Sequence, residues 1–328
     1  MSKPRKLLVV KTSSLGDVVH MLPAITDAAA CVPDLQVDWV VEESFAAVPG
    51  WHPAVKRVIP VALRRWRKQL FQRQTRQEIR RFAASLRQEQ YDWVLDTQGL
   101  LKSVAIARLA QGECHGYDRD SIREPLASLF YQHKHGVSRQ AHAISRNRLL
   151  TAATLGYSLE NLPLDHGIAQ ADFPTVSFPL PHPYVIVLHG TSRVDKEWQE
   201  GQWQAFLQAM AERHCHVLLP WGNQRERERA ERLAAISSFA QVLPRCTLGE
   251  LAGLIRHAAG VIGMDTGLMH IAAALDKPGL ALYPVTMAAL TGVTGNSASG
   301  QQILTIAGQE TADTKGIIQQ FLDMSGIT

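Results

Sequence analysis

The stretch Leu7-Leu-Val-Val-Lys-Thr-Ser-Ser-Leu-Gly-Asp17 carries the strongest fold signal in this chain of 328 residues. Four apolar residues run without interruption, small and polar residues follow them, and residues 18–30 then have a helical pattern. An unbroken apolar run is typical of a strand that is covered on both faces, as in a parallel sheet. The stretch therefore predicts a strand, a tight connection and a helix, the repeating unit of α/β sheets.

The same alternation of apolar runs and helical patterns continues through the chain. Further strands are predicted at residues 37–41, 58–61, 93–95, 184–188, 215–220, 260–263 and 280–283. Further helices are predicted at residues 73–88, 202–212, 225–235 and 267–275. Alternation of this kind predicts a doubly wound α/β sheet in each half of the chain.

The length predicts two domains, at roughly 150 residues per domain. Five prolines between residues 163 and 183 favour extended backbone and indicate a linker. We expect a Rossmann-like domain at residues 1–160, a linker at 161–183, a second Rossmann-like domain at 184–310 and a helix at 311–328 that packs back on the first domain. Two such domains facing each other would leave a ligand cleft at the carboxyl ends of their strands.

The composition excludes several classes of protein. Hydrophobic residues make up 46% of the chain and charged residues 20%, which argues against a disordered or fibrous protein. The four cysteines form no CxxC pair, so we expect neither a disulfide framework nor a structural zinc site. No apolar run approaches the roughly 18–20 residues of a membrane span, and the first apolar run is too short for a secretory signal. We therefore expect a cytoplasmic protein.

Asp17 ends the first strand-to-helix connection, behind Ser14 and Gly16, whose small size lets backbone approach a ligand. One interpretation is that Ser14 or Asp17 caps the helix. The other is that Asp17 is a general base at the mouth of the cleft. The connection has no GxGxxG pattern, so it does not indicate a dinucleotide site.

A second connection of this kind, Met264-Asp-Thr-Gly-Leu-Met-His270, follows the strand at residues 260–263. Backbone N–H groups at a helix start, together with the positive end of the helix dipole, form a natural phosphate site. Asp265, Thr266 and Gly267 are the candidates for it. The structural alternatives are an aspartate helix cap and a core histidine at His270.

Two more strand ends in the second half carry polar groups. Thr191 and Ser192 offer hydroxyl donors, and Lys196 offers a positive charge for phosphate. Glu226 follows the next strand, where a carboxylate suits ribose hydroxyls, although an acid in a first helical turn is also common. Three such signals at successive strand ends favour a nucleotide diphosphate as ligand.

The strongest charge feature lies at residues 64–81, where eight basic residues accompany one acid, Glu78. The segment carries more charge than the formal net charge of +4. A solvated basic face is the structural alternative; an anionic substrate, an anionic membrane surface and nucleic acid are the candidate partners. No RNA-binding motif or aromatic platform accompanies the run.

Two histidine pairs have spacings that metal sites use. They are His133 and His135, and His214 and His216. No third ligand lies near in the sequence, so we predict no metal site.

Taken together, five motifs resemble the ADP-heptose glycosyltransferases of glycosyltransferase family 9, which have the GT-B fold. These motifs are Val10-Lys-Thr-Ser-Ser-Leu-Gly-Asp17, Val37-Asp-Trp-Val-Val-Glu-Glu43, Arg64-Arg-Trp-Arg-Lys68, Arg123-Glu-Pro-Leu-Ala-Ser-Leu-Phe-Tyr131 and Met264-Asp-Thr-Gly-Leu-Met-His270. The resemblance covers nearly the whole chain. One departure is Tyr283-Pro-Val-Thr-Met-Ala288, where the family has Tyr-Gly-Pro-Thr-Asp-Pro and only Thr286 of the inner residues is kept in place.

The resemblance implies transfer of L-glycero-D-manno-heptose from ADP-heptose to the inner Kdo of Kdo2-lipid A, with inversion, during lipopolysaccharide core biosynthesis. It also implies peripheral association with the anionic cytoplasmic face of the inner membrane. The segments around Trp39 and Arg123 favour the family member that adds the first heptose over the one that adds the second. A nucleic-acid-binding protein is the alternative from another class; we expect no nucleic-acid partner.

The resemblance also assigns roles to residues of this chain. It implies Asp17 and Lys196 as catalytic groups. The implied donor-binding residues are Ser14, Gly16, Thr191, Ser192, Lys196, Glu226, Asp265, Thr266, Gly267 and His270. The implied acceptor-binding residues are Arg64, Arg65, Arg67, Lys68 and Arg123. Since a helix dipole and a lysine can neutralise the diphosphate, we expect no obligatory metal and no cofactor.

Overall fold

The computed structural model describes residues 4–191, 197–285, 288–300 and 302–328. The chain forms two compact units, Met1–Leu162 with His166–Ala171, and Pro163–Asp165 with Asp172–Thr328. The chain therefore passes between the units three times within ten residues. Among the described residues, no helix combines the length and the apolar content that crossing a membrane requires.

The first unit is built around six parallel strands. Its elements are β1 (Arg5–Val10), α1 (Leu15–Val19), α2 (Leu22–Cys31), β2 (Leu35–Glu42), α3 (Ala47–Gly50), β3 (Val55–Val61), α4 (Leu63–Lys68), α5 (Arg73–Leu86), β4 (Gln90–Asp96), α6 (Leu101–Ala107), β5 (Gln111–Tyr117), β6 (His133–His135) and α7 (Ala143–Leu155). The strand order is β3-β2-β1-β4-β5-β6. The apolar run that follows Lys6 is fully buried in the centre of this sheet.

The second unit repeats the architecture. Its elements are β7 (Tyr184–Leu188), α8 (Glu200–Ala211), β8 (His216–Leu219), α9 (Gln224–Ala234), β9 (Ala240–Val242), α10 (Leu248–His257), β10 (Gly260–Met264), α11 (Gly267–Ala274), β11 (Gly279–Tyr283), α12 (Ala288–Thr291), β12 (Ile303–Ala307) and α13 (Thr314–Ser325). The strand order is β12-β11-β10-β7-β8-β9.

Both sheets share one topology when the strands of each are counted separately. The order is third, second, first, fourth, fifth, sixth, which is that of doubly wound dinucleotide-binding sheets. The predicted α/β class is therefore confirmed. The order reverses between the first and fourth strands of each sheet, which places a switch point between β1 and β4 and another between β7 and β10. Ligands of such sheets bind outside the carboxyl ends of the strands at this point.

Two local expectations are corrected. Residues 18–30 were expected to form one helix, but α1 and α2 are separate helices. Pro23 lies at the start of α2, where its missing N–H costs nothing, whereas inside a continuous helix it would break a hydrogen bond.

The helix expected at residues 311–328 to return to the first domain instead packs on the second sheet. The inner face of α13 contributes Ile317, Phe321 and Leu322 to the core of the second unit. The ring of Phe321 meets that of Phe206 on α8 at 5.1 Å between centroids. Helix α13 packs on the second unit because this contact removes its three apolar side chains from water.

Candidate functional site

The first candidate region is the switch point between β1 and β4. Val10 and Asp96 are the last residues of the two strands to pair. Directly after β1, Lys11 is buried, and its Nζ donates to the carbonyl oxygen of Thr97 at 3.2 Å. The switch point therefore contains a buried lysine to which no sequence motif assigned a role.

Four charged side chains act on this lysine. Burial lowers the pKa of Lys11; the carboxylates of Asp17 and Asp96 oppose that shift, and Arg146 and Arg123 add to it. All five groups are thus close enough to interact. The structure brings the predicted base Asp17 and the predicted acceptor residue Arg123 into one charged region of the first unit.

Asp17 lies in the first turn of α1. The backbone N and the side-chain Oγ of Ser14 both donate to Asp17 Oδ2, at 2.7 and 2.8 Å. The helix-cap interpretation is therefore present in the structure. Gly16 and Asp17 are half-buried, and Ser14 is exposed. Since both hydrogen bonds use the same carboxylate oxygen, they are compatible with a base acting through Oδ1.

The loop after β1 is held by side chains of the turn that follows β4. Gln98 Oε1 accepts from the backbone N of Thr12 and of Ser13, at 3.1 and 3.2 Å. Asp96 is fully buried and accepts from the Tyr131 hydroxyl at 2.7 Å, as well as from Ser103 and two backbone N–H groups of the turn. This network holds the loop after β1 and the turn after β4 in place at the switch point.

Sequence reasoning missed this network, although Asp96-Thr-Gln-Gly99 is a polar strand end of the type that had marked the other candidates. The partners of Asp96 lie up to 35 residues away. Only the fold shows that they meet.

The basic run divides into paired and unpaired charges. Arg65 lies between two carboxylates, with Glu78 at 2.7 Å and Glu43 at 3.0 Å. The charge of Arg65 is thus paired within the unit, and its use as part of an anion clamp stays a prediction. Arg67 and Lys68 are exposed and have no ion pair among the described residues.

Two other predicted acceptor residues are exposed as well. Arg64 lies over the ring of Phe45 at 5.6 Å, which leaves its donors open to solvent. Arg123 follows β5 and lies beside the turn after β4, where its backbone N is 3.6 Å from the position a Cβ would take on Gly99. Arg64 and Arg123 both follow carboxyl ends of strands of the same sheet.

The second candidate region is the switch point between β7 and β10. Thr266 is the N-cap of α11, and Gly267 is its first residue. Asp265, Thr266 and Gly267 are half-buried, whereas His270, one turn along, is 6% exposed. The first turn of α11 therefore presents backbone N–H groups at the switch point, as the phosphate-site prediction requires.

A glycine makes this region compact. A Cβ on Gly263 would lie 2.5 Å from Leu188 Cβ and 3.1 Å from Met269 Sδ. Only glycine lets β10 pass this close to β7 while α11 packs over it. His189 and Thr191, directly after β7, are both buried at the same edge.

Glu226 reaches this edge from α9. Its Oε2 accepts from the backbone N of Gly222 at 2.7 Å, and its Oε1 accepts from Asn223 Nδ2 at 2.8 Å. A Cβ on Gly190 would lie 2.9 Å from Glu226 Cδ, so the carboxylate rests against the backbone that leads to Thr191. The structure thus brings these two predicted donor residues together, and it also shows the helix-start role of Glu226.

Ser192 and Lys196 lie outside the described residues, as does Thr286. Their predicted roles stay predictions. The chain on either side of residues 192–196 is held by Arg229, a buried residue of α9. Its guanidinium donates to the carbonyl oxygens of His189 and Trp198 and pairs with Glu197 at 2.8 Å. Sequence reasoning missed Arg229 because nothing local distinguishes it from the other arginines of α9.

Two doubly wound sheets, one of which presents a helix N-terminus at its switch point, are typical of nucleotide-binding proteins. The family model of glycosyltransferase family 9 (heptosyltransferase) matches residues 79–315. This chain belongs to that family, and it is a glycosyltransferase with a GT-B-like fold.

Named relatives resemble it along most of their length. Lipopolysaccharide heptosyltransferase 1 of Escherichia coli O18:K1:H7 is 43% identical over 323 residues, covering 97% of both chains. The protein of the same name from Pseudomonas aeruginosa is 48% identical over 293 residues, covering 89% of this chain and 82% of the relative. The solved structure of E. coli heptosyltransferase WaaC with ADP has a TM-score of 0.89 at 42% identity and covers 98% of this chain and 99% of that one.

Proposed function

We propose that this enzyme transfers L-glycero-D-manno-heptose from ADP-heptose to the inner Kdo of Kdo2-lipid A, the first heptose transfer of lipopolysaccharide core biosynthesis. The observation that carries the proposal is the near full-length similarity to lipopolysaccharide heptosyltransferase 1, at 43% identity over 97% of both chains. The strand order and the polar groups at both switch points support it independently.

The donor belongs to the second unit in this proposal. Solved structures of E. coli WaaC hold ADP and ADP-2-deoxy-2-fluoro heptose, and this chain is 42% and 41% identical to them. The N-terminus of α11 at Thr266 and Gly267 would receive the diphosphate, and Glu226 the ribose. Negative charge grows on ADP as the glycosidic bond breaks, so Lys196 and the helix N–H groups would stabilise the transition state more than the ground state.

The acceptor belongs to the first unit. An in-line displacement needs a base that takes the proton of the attacking hydroxyl. Of the two carboxylates at the switch point, Asp17 is half-buried and Asp96 is fully buried, so Asp17 is the candidate. The positive charges of Lys11 and Arg123 beside it suit the carboxylate of Kdo. The helix dipole and Lys196 can neutralise the diphosphate, so the proposed reaction needs no obligatory metal or cofactor.

A lipid acceptor is favoured by apolar groups beside the basic run. Leu70 and Phe71 are 49% and 90% exposed, directly after the unpaired cations Arg67 and Lys68. Basic residues next to an exposed aromatic suit an anionic membrane surface, at about 1 kcal/mol per cation near the surface. We therefore propose peripheral association with the cytoplasmic face of the inner membrane.

The alternative is addition of the second heptose. The solved structure of E. coli heptosyltransferase II has a TM-score of 0.79 but only 18% identity, which is a likeness of fold alone. The much higher identity to proteins named heptosyltransferase 1 favours the first transfer.

The test is to incubate the full chain with ADP-heptose and Kdo2-lipid A and to measure the product by mass spectrometry. We expect one added heptose, formed roughly 10²–10⁴-fold more slowly by the Asp17→Asn variant. A parallel reaction uses Kdo2-lipid A that already carries one heptose. Product from that acceptor only would overturn the proposal in favour of the second transfer.

A further inference from the structure

Strands β5 and β6 bring together four residues that the sequence separates into two groups. The two strands pair in parallel, with His115 opposite His133 and Tyr117 opposite His135. Because alternate residues of a strand share a face, Glu113 and His115 of β5 lie on the same face as His133 and His135 of β6. The third ligand that the sequence lacked beside the pair at 133 and 135 is thus supplied by the neighbouring strand.

The distances between these side chains are short. His115 Nδ1 lies 3.2 Å from His135 Nε2, and His133 Nε2 lies 2.9 Å from Glu113 Oε2. The His115 ring stacks on that of His133 at 4.4 Å and on that of His135 at 5.5 Å. One ligand atom from each of Glu113, His115 and His133 lies within 4.8 Å of the other two.

The chemistry of this set is that of a zinc-type site. Imidazole nitrogen and carboxylate oxygen bind Zn²⁺ at about 2.0–2.2 Å in a tetrahedral arrangement, which separates the ligand atoms by roughly 3.3 Å. The gap of 3.2 Å between His115 and His135 already matches that separation. His115 Nε2 is buried without a hydrogen-bond partner among the described residues, so no hydrogen bond at this nitrogen fixes the ring.

A second histidine pair among the described residues lies outside any such group of three and serves as a comparison for the cluster on β5 and β6. His214 and His216 have the same spacing, yet their rings contact Phe239. Glu113, His115 and His133 form the one group of three ligand-type side chains within 4.8 Å among the described residues, and neither His214 nor His216 has two such neighbours. This pair is therefore a natural control.

We propose that Glu113, His115 and His133 bind one divalent transition-metal ion of the Zn²⁺ type and so fasten the short edge strand β6 to β5. His135 lies outside this group of three but 3.2 Å from His115, and it joins the set as the fourth ligand by turning its ring. Binding requires the imidazoles to turn their lone pairs toward one point, which the exposed His133 and the half-buried His135 can do by rotating about their side-chain bonds. None of the four residues is assigned to donor or acceptor binding, so the site is independent of the proposed transfer.

The test uses the full chain without any histidine tag, stripped of metal by a chelator and titrated calorimetrically with ZnCl₂ at neutral pH. We expect one Zn²⁺ per chain, and a melting temperature that rises with added Zn²⁺ because the ion binds only the folded state. The variants His133→Gln and His135→Gln, which change accessible residues, should each weaken Zn²⁺ binding by about tenfold or more.

The matched control is the double variant His214→Gln/His216→Gln, which should bind Zn²⁺ as the wild type does. Absence of binding to the wild type, unchanged affinity in His133→Gln and His135→Gln, or an equal loss in the control would each overturn the proposal. Heptose transfer, measured on the same metal-free samples, should be the same in all of them. Loss of transfer in the wild type would count against the proposed function and not against the metal site.

Discussion

The two switch points occupy the same place in the same topology, yet they are built from different groups. The switch point between β1 and β4 is lined by buried ionisable side chains, with Lys11 and Asp96 at its centre. The one between β7 and β10 is built from glycine and backbone, with Gly263 under the N-terminus of α11. The fold therefore sets where a ligand binds, and the residues after each strand set which chemistry is possible.

This difference between the two switch points fits two different tasks in the proposed reaction. Side-chain charges suit a proton transfer and the binding of an anionic acceptor, because each charge can be positioned and paired. Backbone N–H groups at a helix start suit a diphosphate, because they carry no counter-charge that would have to be neutralised in the free enzyme. Substitutions in the first unit should then change turnover or acceptor use, and substitutions in the second should change donor affinity.

The largest expected effect is that of Asp17→Asn, in the first unit. Loss of the base should lower turnover by roughly 10²–10⁴-fold, while ADP affinity, measured by calorimetry, stays near the wild-type value. The asparagine keeps an oxygen that can accept from Ser14, so the loop after β1 is preserved.

The control is Ser14→Ala, which removes the hydroxyl donor to Asp17 Oδ2 but keeps the carboxylate. It should lose about 1 kcal/mol of stability for one lost side-chain hydrogen bond, and keep most of its turnover. Equal losses of turnover in both variants would assign Asp17 to the helix cap.

Arg229→Lys, in the second unit, should weaken donor binding. Lysine keeps the charge next to Glu197 but cannot donate to the carbonyl oxygens of His189 and Trp198 together, as the planar guanidinium does. Loss of one charge-assisted hydrogen bond, about 1.5–3 kcal/mol, corresponds to a roughly 10- to 100-fold weaker donor affinity if the segment between these residues binds ADP-heptose.

The matched control is Arg232→Lys, on the same helix, where the guanidinium is exposed and pairs with Glu200. Its ADP affinity should equal that of the wild type. A drop in melting temperature for Arg229→Lys with unchanged ADP affinity would show that Arg229 supports the fold only.

The sequence predicted eight of the twelve strands described in the structure and missed β5, β6, β9 and β12. The strand at Tyr184–Leu188 was predicted at its observed bounds, since five consecutive apolar residues leave no other choice. Strand β5 was missed because Gln111–Tyr117 contains two glycines and a histidine and does not have the apolar pattern of a buried strand. Propensity is a weak guide where pairing with a neighbour decides the structure.

The candidate site shows the same limit. Asp17 and Thr266 are found from local order alone, as polar residues between a strand and a helix. Arg229 and the pairing of Arg65 with Glu78 depend on contacts between residues that are distant along the chain. No local pattern marks such contacts, so the sequence did not show that Arg65 is paired and did not single out Arg229.

The basic run at residues 64–81 allows a test of acceptor binding, because it contains both ion-paired and unpaired cations. The double variant Arg67→Gln/Lys68→Gln removes two unpaired charges and should raise the KM for Kdo2-lipid A by roughly 30-fold, at about 1 kcal/mol per cation. Added salt should raise the wild-type KM more than that of the variant, because exposed charges are screened. Donor affinity should not change.

The comparison variant is Arg65→Gln. Its guanidinium is already neutralised by Glu43 and Glu78, so acceptor KM should change less than in the double variant. An effect of Arg65→Gln as large as that of the double variant would mean that the whole run acts by its net charge and that the pairing seen in the structure opens when the acceptor binds.

The smallest expected effect is that of Glu226→Ala, in the second unit. A ribose contact exists before and during the reaction alike, so its loss should raise the donor KM and leave kcat unchanged. A single hydrogen bond of about 1 kcal/mol corresponds to a roughly fivefold change. The structure also gives Glu226 a purely structural task, because its carboxylate accepts from Gly222 and Asn223 at the start of α9.

Two further variants separate these tasks. Asn223→Ala removes the helix cap, whose Oδ1 accepts from the backbone N of Glu226 at 3.0 Å, and keeps the carboxylate. Gly190→Ala keeps both residues but places a Cβ 2.9 Å from Glu226 Cδ, which must displace the carboxylate. If Glu226 binds ribose, Gly190→Ala should raise the donor KM as Glu226→Ala does, and Asn223→Ala should lower only the melting temperature. If the donor KM instead rises in proportion to the loss of melting temperature in all three variants, Glu226 supports the fold and does not bind ribose. The donor would then be bound at the second switch point by backbone groups alone, and the contrast with the charged side chains of the first switch point would be larger.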